Sequence, residues 1–139
     1  MEFLQYKIRI SILWISFAVC SSAAMIIWFI EPGILNQIMT TRMMANGKLN
    51  QGTIISFAFW WIIPLSMAYM THVLNYSLTR WLNIILGLVC SILILFYFFS
   101  NLIAGWFEVA NCLILIFMFI ITVLIAWHAW KSPKEDIRI

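Results

Sequence analysis

Apolar residues in this chain come in blocks rather than stripes. Four runs, Ile10–Ile30, Ile54–Leu74, Trp81–Phe99 and Val109–Trp130, contain no Asp, Glu, Lys or Arg. Each is about 20 residues long, the length an α-helix needs to cross a hydrocarbon core of ~30 Å. In lipid the backbone must satisfy its own hydrogen bonds, so a run of this kind is helical. The pattern predicts an all-α integral membrane four-helix bundle of four spans. Little chain is left over, so residues 1–139 form a single domain.

The connections differ in character. Glu31-Pro32-Gly33 breaks the first block, and proline suits the first turn of a new helix, with an acidic residue at its start. Ile34, Leu35, Ile38 and Met39 then share one helical face, and Asn46-Gly47 is a C-terminal stop. A short amphipathic helix over about Pro32–Ala45 is therefore expected on the outer surface. In the second block, Pro64 removes one backbone bond and crowds the carbonyl of Trp60, which predicts a kink near mid-membrane. The freed carbonyl needs a partner, such as Ser66 or a neighbouring helix. The first two blocks do not match the last two, so an inverted-repeat transporter is not supported.

Charge orients the chain. Lys7, Arg9, Arg80, Lys131, Lys134 and Arg138 flank one side of the blocks, against Arg42 and Lys48 on the other. The positive-inside bias places both termini and the Tyr76–Arg80 turn in the cytoplasm of a multi-pass inner-membrane protein. Glu31–Thr53 and Asn101–Glu108 then face out. Aromatic residues agree, with Trp81, Trp127 and Trp130 at one edge and Trp28, Phe29, Tyr97 and Trp106 at the other. The basic residues are scattered at membrane ends and form no stripe, which argues against a nucleic-acid partner and for contact with anionic headgroups. The apolar run continues through Met25–Ile30, longer than a signal-peptide core, so cleavage is not expected. Cys20, Cys90 and Cys112 all fall inside blocks with no C-x-x-C pair, and read as small packing residues.

Charged residues inside a span are the usual mark of ion paths and buried catalysis, and their absence pushes candidate chemistry to the rims. Outside, Glu31 and Glu108, with Trp106 and Asn111, form a candidate polar site that could bind a cation or act as acid and base. Capping and ion pairing with Arg42 or Lys48 account for the same carboxylates. Inside, His72 and His128 lie at similar depth, so a bis-histidine haem or metal site is a weak candidate. At mid-membrane, Trp60, Trp61 and Pro64 could wall an aromatic pocket. Asn83 and Asn111 are costly in lipid unless paired, and both are expected to face the interior. No zinc-protease, nucleophile-elbow or phosphate-loop motif is present.

Several landmarks carry a resemblance: Ile12-Leu13-Trp14, Glu31-Pro32-Gly33-Ile34-Leu35, Pro64, Arg80-Trp81-Leu82-Asn83-Ile84, Glu108 and Ala126-Trp127-His128-Ala129-Trp130. Together they resemble an uncharacterised family of small bacterial four-span membrane proteins, and more loosely DoxX-like proteins. The first implies no activity. The second implies association with quinone-linked redox complexes, on fold analogy alone. Three functions stay open: a non-enzymatic binding or permeation unit for a lipophilic or small neutral molecule; an accessory subunit of a larger membrane complex or homo-oligomer; and a membrane enzyme using Glu31 or Glu108.

Overall fold

Each charge-free block lies within one helix, save for Leu74 at the end of the second. The computed structural model describes residues 2–30, 44–45, 48–49, 51–103 and 109–132. Nearly all of them lie in α1 (Glu2–Ile30), α2 (Gln51–Val73), α3 (Tyr76–Ile103) and α4 (Val109–Trp130). The result is an all-α four-helix bundle. α1 and α3 extend several residues beyond their apolar blocks, because helical hydrogen bonding does not stop where hydropathy falls.

Three helical stretches, Leu4–Ile27, Tyr76–Ile103 and Val109–Trp130, are long and apolar enough to cross a membrane, and α2 carries the shorter apolar stretch Phe57–Val73. The distribution of side chains points the same way. The buried set includes Ser11, Thr71, Thr79, Asn83, Ser91 and Thr122, while Ile85, Leu88, Ile92, Phe96 and Ile103 are exposed. An outer surface this apolar suits lipid, not water. These features mark a membrane protein.

Packing is uneven. α1 lies against both α2 and α4, and α4 also packs on α3, whereas α2 and α3 touch little along their length although two residues join them. In that turn the Asn75 carbonyl accepts from Thr79 N at 2.9 Å, starting α3, and Leu74 N donates to Met70 O at 2.9 Å, ending α2. Asparagine is a favoured residue at such a helix start. At the same end of the bundle Lys7 Nζ donates to His72 O at 3.3 Å, Arg80 donates to Trp130 O at 3.0 Å, and Tyr76 meets Ser132 Oγ at 2.7 Å. Cations therefore sit on the carbonyl ends of α2 and α4, where the helix dipole favours them. These contacts place the start of α1, the end of α4 and the α2–α3 turn at one end of the bundle.

α3 and α4 approach closely at Gly87. A Cβ there would lie 3.2 Å from both Ala126 N and Thr122 O. Thr79, Asn83, Gly87 and Ser91 are all buried and recur every fourth residue, the small-residue stripe that lets membrane helices pack tightly. Across this seam Ser91 Oγ lies 2.8 Å from Thr122 Oγ1, which in turn donates to Phe119 O at 2.9 Å.

One expectation changes. The amphipathic helix expected over Pro32–Ala45 falls outside the described residues as far as 43, and Met44–Ala45 pairs as a short strand with Lys48–Leu49. The helix stop expected at Asn46-Gly47 lies outside the described residues. α2 runs as one helix through the buried Pro64, and Ser66, expected to serve the freed carbonyl, is exposed.

Candidate functional site

All four helices contribute to one half-open cavity of about 380 Å³. Its walls are Ser21, Ala24 and Met25 of α1, Phe57 and Trp60 of α2, Ile94 and Tyr97 of α3, and Asn111, Leu115 and Met118 of α4. It occupies the half of the bundle remote from Lys7 and Arg80, beside the sparse α2–α3 seam. The volume lies in the usual range for small-molecule sites, about 300–1,000 Å³.

The wall residue Trp60 is reached by a chain of contacts across three helices. Asn83 of α3 is fully buried, and its Oδ1 accepts from Trp14 Nε1 at 2.6 Å while its Nδ2 donates to Thr79 O at 2.8 Å. Trp14 meets Phe17 edge-on, with centroids 6.1 Å apart. Phe17 then packs against Trp60 at 5.8 Å. Trp60 therefore stands in the cavity wall braced from α1.

The sequence-derived candidates separate on this geometry. Trp60 and Asn111 line the cavity. Trp61 is 45% exposed and points away, since consecutive helical residues project about 100° apart and only one can face inward. Pro64 is buried but lies outside the lining. Asn83 faces the interior as expected, but is not among the cavity's lining residues. Glu31, Trp106 and Glu108 lie outside the described residues.

The two histidines are each engaged, on helices that are not principal packing partners. His128 Nδ1 is 2.8 Å from Leu124 O in its own helix. His72 Nε2 is 2.9 Å from Ser11 Oγ, which also donates to Ala68 O at 3.0 Å. With its one proton on that carbonyl, the serine accepts from the imidazole. This ties α1 to α2 and does not prepare a nucleophile. Among the described residues no group of three or more His, Cys, Asp or Glu could hold a metal ion.

Within the cavity the polar atoms are few and neutral. Ser21 Oγ donates to Phe17 O at 2.9 Å. Asn111 and Tyr97 make no side-chain hydrogen bond to any described residue. No Asp, Glu, Lys, Arg, His or Cys is among the lining residues, so the arrangement can bind and orient a neutral molecule. Sequence reasoning missed Ser21, Met25, Leu115 and Met118, because an apolar residue facing a cavity and one facing lipid carry the same signal. No family model matches the chain, and no curated protein or solved structure is detectably similar to it. The likeness to small four-span families therefore rests on the quoted motifs alone.

Proposed function

We propose that the chain crosses the inner membrane four times with both termini in the cytoplasm, and that the bundle is a non-enzymatic binding or permeation unit for a lipophilic or small neutral molecule. The observation that carries this reading is the cavity enclosed by all four helices, walled by Phe57, Trp60, Ile94, Leu115 and Met118 and bearing no charged side chain among its lining residues. An apolar site with a few placed polar atoms is the ordinary form of a small-molecule pocket. A cationic or anionic cargo would have to leave its charge uncompensated there.

Filling the cavity tests the reading. Ala24 lines it on α1, so Ala24→Trp projects an indole into the space. Native mass spectrometry of the protein released from gentle detergent should show a bound lipophilic adduct on the unaltered chain. That adduct should be lost from Ala24→Trp at unchanged helix content. The same adducts on both chains, or none on either, count against the proposal.

A further inference from the structure

We propose that the cavity holds an uncharged amphiphile drawn from the bilayer, with its hydrogen-bonding end at Asn111 and Tyr97 and its apolar body against Trp60, Ile94, Leu115 and Met118; this rests on reading the cavity as a binding site. The first support is the direction of the polarity gradient. Asn111 lies in the first turn of α4 and Tyr97 near the end of α3. Both sit towards the far end of the bundle, at the depth of an interface. Trp60, Ile94 and Met118 lie further along their helices, towards the bilayer centre. A lipid-dissolved amphiphile has the same orientation, polar at the interface and apolar below.

The second support is that these two polar groups lack protein partners among the described residues, although they share one cavity. Other polar groups within the bundle are engaged, as in Trp14–Asn83, Ser91–Thr122 and Ser11–Ala68. Tyr97 is 43% exposed and Asn111 half-buried, so both present hydrogen-bonding capacity at the rim of the cavity. Asn111 offers a carbonyl acceptor and two N–H donors, and Tyr97 an O–H that donates and accepts. That set matches an alcohol, ketone, ester or amide end. It gives nothing to a bare hydrocarbon and no counter-charge to a carboxylate. Met25 and Met118 fit the other half of the ligand, since flexible thioethers adapt to varied apolar shapes. α2 and α3 touch little along their length, and both contribute residues to the cavity wall.

Matched photoreactive probes distinguish the possibilities. The protein in phosphatidylcholine nanodiscs is exposed to dodecan-1-ol, dodecanoic acid and dodecane, each bearing a mid-chain diazirine, at about pH 9, where the acid is ionised. Labelled sites are mapped by peptide mass spectrometry. The alcohol should label residues 21–25 and 111–118 at least about fivefold more than the acid or the alkane, the difference one hydrogen bond supplies. Asn111→Leu should reduce alcohol labelling to the alkane level and leave alkane labelling unchanged, which also shows that the cavity persists. Equal labelling by all three probes, preference for the acid, or no effect of Asn111→Leu overturns the amphiphile and leaves the binding site standing. No labelling of these segments above the lipid-facing Ile85–Val89 surface overturns both.

Discussion

Trp14 and Asn83 are the most consequential side-chain pair in the bundle, joining α1 to α3 through a buried 2.6 Å bond. Asn83→Leu leaves the Trp14 N–H without its acceptor in an apolar interior. A loss of about 1–2 kcal/mol of stability is expected, read as an earlier transition in a detergent-unfolding titration. Trp14→Phe removes the donor and strands the Asn83 carbonyl at similar cost. The double variant Trp14→Phe/Asn83→Leu should lose less than the sum, with a coupling of about 0.6–1.7 kcal/mol. Strict additivity would show that the bond contributes nothing beyond packing. Asn83 was legible in the sequence, since an amide inside a charge-free block must find a partner. Trp14 as that partner was not, because the depth at which two helices cross is set by packing and not by local pattern. Trp60 and Asn111 were likewise visible as odd residues in apolar runs. The apolar cavity wall was not, because lipid and protein interior are equally apolar and hydrophobic periodicity loses its power to say which face is inside.

At the scale of elements, the α3–α4 seam is the tightest contact, whereas α2 and α3 touch little. The stripe Thr79, Asn83, Gly87, Ser91 explains the first. Gly87→Ala places its Cβ 3.2 Å from Ala126 N and Thr122 O and 3.3 Å from Ala126 Cβ. Two of these atoms are backbone, so no single side chain can turn aside, and the helices must separate. The expected cost is about 1–3 kcal/mol, with a larger loss for Gly87→Val, measured in the same titration. An unchanged midpoint for Gly87→Val would mean the seam is looser than described. Ser91→Ala, which removes one hydroxyl and keeps the close approach, should cost about 0.6 kcal/mol. The spacing of four between Thr79, Asn83, Gly87 and Ser91 did not stand out in the sequence, because small residues at that spacing can equally lie on a face turned to lipid. The gap between α2 and α3 was not, since nothing in either helix's composition distinguishes a face turned to a neighbour from one turned to lipid.

At the scale of the whole molecule, charge and connectivity agree on one end. Lys7, Arg9, Arg80 and Lys131 all lie at the end formed by the start of α1, the α2–α3 turn and the end of α4, and Lys7 and Arg80 bond to helix carbonyls there. The proposed orientation, taken from the positive-inside bias, puts that end in the cytoplasm. The cavity would then open towards the outer leaflet, where Asn111 and Tyr97 lie. Single-cysteine labelling decides the orientation. Replacing Cys20, Cys90 and Cys112 by Ala gives a silent background, and Ser77→Cys and Asn101→Cys report opposite ends of α3. In intact cells a membrane-impermeant maleimide should label Asn101→Cys and spare Ser77→Cys. In inverted membrane vesicles the pattern should reverse. The opposite result would turn the molecule over, placing the basic end outside and the cavity within reach of the inner leaflet, so that the ligand sought should be a lipid of that leaflet.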